Sequence, residues 1–139
     1  MKYLLCALLM ALSAHALAGE KVEVKIGKPD SQTIAFEDKV VDGKESFYLE
    51  FSTLQKKKIF RAITKKEFED ITSEYAKIRE IFKKIGVAMD PETCKQPAEI
   101  TSYSIPQVIC LDKLNKKQLT QFNAWFKRAS DVASAAHKK

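Results

Sequence analysis

A chain of 139 residues with 24 Lys and Arg against 18 Asp and Glu carries a formal charge of +6 at neutral pH, and 45% of its residues are hydrophobic. That size and apolar content suit one core and exclude an assembly of several domains. With two histidines and four glycines in all, the composition also argues against histidine-based nucleophilic catalysis and against a glycine-rich phosphate loop.

Met1-Lys2, the apolar run Tyr3 to Ala14 and the small residues Ala16-Leu17-Ala18 have the charged, apolar and small-residue parts of a secretory signal peptide, with cleavage expected after Ala18. The apolar run is too short for a bilayer span of about 20 residues, and no later stretch is long and uncharged enough to be one. Residues 19–139 are therefore expected to form one small α+β domain, periplasmic or secreted, with no transmembrane segment. Cys6 lacks the small residues that precede a lipoprotein cleavage site, so it is expected to be discarded with the leader. Cys94 and Cys110 remain, and an oxidising compartment favours their pairing as a structural disulfide. On the chain-entropy model, closing a loop of this size stabilises the fold by about 3 kcal/mol.

In chain order, Val22, Val24 and Ile26 alternate with Glu23 and Lys25, the period of a half-buried strand, and the flanking Lys21, Lys25 and Lys28 suit an exposed edge. Gly27-Lys28-Pro29-Asp30 supplies a turn. Thr33 to Phe36 and Val40-Val41 read as a second strand interrupted at Glu37-Asp38, and Asp42-Gly43 as a tight turn into a third, Ser46 to Leu54. In this third strand Phe47, Leu49 and Phe51 share one face, and Tyr48, Glu50 and Ser52 the other. Leu54 to Ile63 fits either helix or strand. A turn at Gln55 to Lys57 and a strand from Lys58 is the better reading, because Thr64 as a helix cap needs extended backbone before it.

Ile63-Thr-Lys-Lys-Glu-Phe68 has the capping box and hydrophobic staple of a helix start, and Leu114-Asn-Lys-Lys-Gln-Leu119 repeats the device. The first helix runs to about Ile85 before Gly86. Its Phe68, Ile71, Tyr75, Ile78, Ile81, Phe82 and Ile85 form a stripe about 140° wide. Ile100 to Tyr103 and Gln107 to Leu111 suit a hairpin around Ser104-Ile105-Pro106, with Cys110 reaching back to Cys94. The second helix, Lys116 to about Ala135, carries a stripe of Leu119, Phe122, Trp125, Phe126, Ala129, Val132 and Ala133. The fold class this implies is α+β: an antiparallel sheet of four to six strands packed by two amphipathic helices, with one disulfide. Hairpin then capped helix occurs twice, the pattern of a diverged ββα duplication.

Few residues point to chemistry. The histidine outside the leader, His137, stands two residues from the end, and no metal-ligand spacing occurs, so neither a metal nor a cofactor is implied. Glu74 projects inside the apolar stripe of the first helix and is the one weak candidate for a catalytic carboxylate. A lone acid at a stripe edge more often turns to solvent or meets a cation such as Lys77. Lys56, Lys57, Lys58, Arg61, Lys65 and Lys66 surround the start of the first helix, and Lys116 and Lys117 that of the second, where positive charge and free amides suit an anion. The alternative is a solvated basic surface. These features lead to an expected function as an exported, non-catalytic binding or inhibitory module acting on a protein or anionic envelope component. The rival readings are a small envelope hydrolase using Glu74 and a structural subunit of an exported assembly. Nucleic acid is not an expected partner, since the charge is modest and no aromatic-basic platform is evident.

Overall fold

The alternation at Val22, Val24 and Ile26 folds as β1 (Lys21–Ile26), followed by β2 (Gln32–Val41), β3 (Lys44–Thr53) and β4 (Lys58–Ile63). The computed structural model describes residues 21–27, 31–53, 58–88 and 91–135. The expected leader with Cys6, the turns at Lys28 to Asp30 and Gln55 to Lys57, and His137 lie outside the described residues. Helix α1 (Lys65–Ile85) comes next, then a short 3₁₀ turn, β5 (Pro97–Ser102), β6 (Ile105–Cys110), a second 3₁₀ turn and helix α2 (Lys116–Ala135). The six strands form one antiparallel sheet in the order β4-β3-β2-β1-β5-β6. The strand reading of Lys58 to Ile63 holds.

Three expectations change. β1 is an interior strand, paired on one side with β2 and on the other with β5. Its lysines lie on the uncovered face of the sheet rather than at an edge. There Lys21 meets Glu23 at 3.3 Å. Burial alone would lower the Lys21 ammonium, but its hydrogen bond to Glu23 and the charges of Glu23, Glu50 and Glu37 outweigh this and hold its pKa above 10.5. The stabilisation is present below the ordinary lysine range and is lost as pH rises through the raised value. β2 is continuous through Glu37 and Asp38, because β3 supplies a partner at every position, Glu37 facing Tyr48 and Asp38 facing Phe47. The second hairpin turns at Tyr103 and Ser104, with φ of 53° and 63°, so that Ile105 and Pro106 already belong to β6. Both central residues have positive φ, as in the Asp42-Gly43 turn with 52° and 77°. Proline is tolerated in β6 because it is an edge strand.

Both helices cover the same face of the sheet. Their stripes press on Val22, Val24, Ile34, Phe36, Leu49, Ile63, Ala98, Ile100 and Ile109, the alternate residues of the strands. The other face stays open and carries charge pairs such as Glu50 with Lys58 at 3.2 Å, and a stacked Tyr48–Phe60 pair with the Lys39 ammonium 4.8 Å above the Tyr48 ring. The capping boxes form as the sequence implies. Thr64 Oγ1 accepts from the Glu67 amide while Glu67 accepts from the Thr64 amide, and Asn115 and Gln118 do the same for α2.

Where the two stripes meet, Trp125 is 1% exposed and its ring contacts Phe36, Tyr75, Phe122 and Phe126. Its Nε1–H donates to the Ile71 carbonyl of α1 at 3.0 Å, which satisfies the one polar atom of the ring. The disulfide Cys94–Cys110 joins the segment before β5 to the end of β6, with Cα atoms 5.7 Å apart. Beside it, the Asp112 carboxylate accepts from the amides of Lys95 and Gln96 at 2.8 and 3.0 Å. No described helix is long and apolar enough to cross a membrane.

Candidate functional site

Basic residues that are close in sequence are separated by strand parity and helix position. Lys58 lies on the open face against Glu50. Arg61 points to the opposite face, where its guanidinium donates to the Val132 carbonyl, one of the acceptors left free in the last turn of α2. A cation there also suits the negative end of the helix dipole. Arg61 is thus engaged within the fold, and as an inward-pointing charge on edge strand β4 it discourages sheet extension. Lys65 and Lys66 are exposed in the first turn of α1, and Lys116 and Lys117 in that of α2. Neither pair lines the cavities described below. Lys56 and Lys57 fall outside the described residues.

Glu74 faces α2 and pairs with Arg128, the partner being an arginine from the second helix rather than Lys77. The two side chains are 37% and 54% exposed, and beside them is a hollow of about 90 Å³ that Glu67 and Asp70 also line. Ile71, Trp125, Ala129 and Val132 line the same hollow, but Glu74 is over a third exposed and paired with a cation, unlike the enclosed carboxyl group that serves in general acid catalysis. An exposed pair of this kind contributes up to about 1 kcal/mol. Glu74→Gln is therefore expected to shift the thermal midpoint only slightly, and any hydrolytic activity of the purified protein should survive it. Loss of such activity in a folded variant would reinstate the acid–base reading. Among the described residues, one grouping of potential ligand atoms is close enough for a metal: Cys94, Cys110 and Asp112. Its sulfurs are bonded to each other and its carboxylate is held by two amides, so in the oxidised protein it offers no thiolate.

A larger space lies on the other flank of α1. Six strands spaced about 4.8 Å apart span roughly 24 Å, whereas two packed helices about 10 Å apart cover less. α2 lies over β2, β3 and β4, and the C-terminal half of α1 faces the β5–β6 wing across a gap. The result is a groove of about 430 Å³. Val22, Phe82, Ile100 and Ile109 form its walls, with Ser102 and Gln107 among them. Gly86, at φ 83°, turns the chain out of the helix, and the Ala88 amide then donates to the Val108 carbonyl at 2.7 Å, which places Val87 along the groove. Val87 is 48% and Ile105 62% exposed. Ile105 lies on the same face of β6 as Gln107 and opposite Ser102, both lining residues, so these apolar side chains stand at the mouth. Arg79 and Lys83 complete the lip.

None of these groove residues was singled out by sequence as a site. The available signal was Arg79, which flanks the α1 stripe on the side away from Glu74. No protein-family model matches this chain, and no curated protein or solved structure does so either.

Proposed function

We propose that this protein is an exported, non-catalytic binding module that takes its ligand in the groove between α1 and the β5–β6 wing. The groove itself carries the reading. Its volume falls within the roughly 300–1,000 Å³ range of small-molecule sites, and it has the usual construction of apolar walls with a few polar groups among them. Export is supported by the leader-like residues 1–18 and by a buried disulfide, which persists in oxidising compartments. The non-catalytic part is supported by the engagement of Glu74 with Arg128.

The test is capture of envelope components by the oxidised protein, compared with Val87→Glu, which places a carboxylate at the groove mouth without touching the core. The expected result is a component retained by the parent protein and lost from the variant, with unchanged melting of the variant. Equal retention by both would move the binding surface elsewhere.

A further inference from the structure

The groove combines apolar walls with a cationic lip of Arg79 and Lys83, and this combination narrows what it can hold. We propose that its ligand is a single acyl chain ending in a carboxylate, with the chain lying on Val22, Phe82, Ile100 and Ile109 and the carboxylate paired with Arg79. This proposal rests on the groove being the binding site, as argued above.

The charge assignment follows from what the neighbouring cations already do. Lys83 lies in the last turns of α1, where a cation complements the helix dipole, and it meets Glu80 at 3.4 Å. Arg79 lies a full turn earlier, beyond the reach of that end effect, and has no acidic partner among the described residues. Among the described residues no acidic side chain lines the groove, so an incoming anion meets no repulsion from them. A guanidinium at the edge of an apolar wall suits a carboxylate, which it grips with two parallel hydrogen bonds, and Arg is weakly enough hydrated to do this beside apolar surface. The apolar walls of the groove call for a ligand with an apolar body. Val87, Tyr103 and Ile105, three exposed apolar side chains on or beside this wing, extend that surface outward to where a chain would enter.

Sodium dodecanoate, kept below its micellar concentration at mildly alkaline pH, is the probe, with dodecanol as its neutral counterpart of equal length. Titration calorimetry of the oxidised, full mature chain is expected to show saturable, one-to-one binding of dodecanoate and about tenfold weaker binding of dodecanol. Arg79→Gln should bring dodecanoate down to the level of dodecanol and leave dodecanol unchanged. A merely structural role for Arg79 would weaken both equally, and Val87→Glu should weaken both. The proposal is overturned if the parent protein does not distinguish the two probes, if Arg79→Gln preserves the distinction, or if dodecyl phosphate binds where dodecanoate does not. If neither probe binds while envelope capture still depends on Val87, the groove binds another class of ligand and only the acyl assignment fails. If capture also shows no such dependence, the groove reading fails with it.

Discussion

Trp125→Ala is expected to destabilise the protein by about 3–5 kcal/mol, the largest loss from any single side chain in the fold. The ring sits where α1, α2 and the sheet converge, 1% exposed, and its neighbours Phe36, Tyr75 and Phe122 belong to three different elements. Its removal opens a cavity whose walls cannot collapse together, because each is fixed by a separate strand or helix. Against a total stability of about 5–15 kcal/mol for a domain of this kind, that is a large fraction. The denaturant midpoint, followed by far-ultraviolet circular dichroism, should fall steeply while the slope stays constant. Trp125→Phe separates the parts of the effect. It keeps most of the ring and loses the bond to the Ile71 carbonyl, so a cost of about 1–2 kcal/mol is expected. A loss in Trp125→Ala no larger than in Trp125→Phe would show that the helices do not depend on this contact. Because the chain has a single tryptophan, its emission reports the same convergence point in the parent protein.

The features legible from sequence are those set by near neighbours. Strand parity at Phe47, Leu49 and Phe51 could be read because one face of the sheet is dry and the other wet, and the capping boxes at Thr64 and Asn115 involve residues three apart. The lysines of β1 resemble edge protection, so its sequence alone suggests an edge. Only long-range pairing with both β2 and β5 puts it in the middle. The Tyr103-Ser104 turn was hidden because neither residue advertises the positive φ it adopts, while the neighbouring Pro106 suggests a turn that is not there. Arg61 is close in sequence to several lysines, yet it shares parity with Ile59 and Ile63, and parity is what turns it toward α2.

The groove was illegible for a related reason. On a helical wheel Glu74 lies about 20° inside one border of the α1 stripe, and Arg79 about 20° beyond Phe68 at the other. Sequence alone gives no means of knowing which border would meet a helix and which would stay open. That depends on α2 lying over β2 to β4. The acid within the stripe lies near the border occupied by Arg128; the open border belongs to Arg79.

Opening the disulfide, by Cys94→Ala with Cys110→Ala or by reduction under native conditions, is expected to cost about 3 kcal/mol and lower the melting midpoint by about 10 °C. The bridge closes a loop with a sequence separation of 16, and its main effect is to restrict the unfolded chain. Local structure should outlast it, because the Asp112 carboxylate still accepts from the Lys95 and Gln96 amides and the Leu111 amide still donates to the Gln96 carbonyl at 2.9 Å. Asp112→Asn in the bridge-free protein should then be more damaging than in the oxidised one, since the two clamps hold the same junction and their losses are not additive. The consequence for the groove follows from position: β6 forms its far wall, and the bridge anchors the end of β6. Hydrogen exchange is therefore expected to rise first at Val108 and Ile109 when the bridge is absent, while the Trp125 region stays protected. Uniform loss of protection across both regions would instead show that the β5–β6 wing and the helix core unfold as one unit.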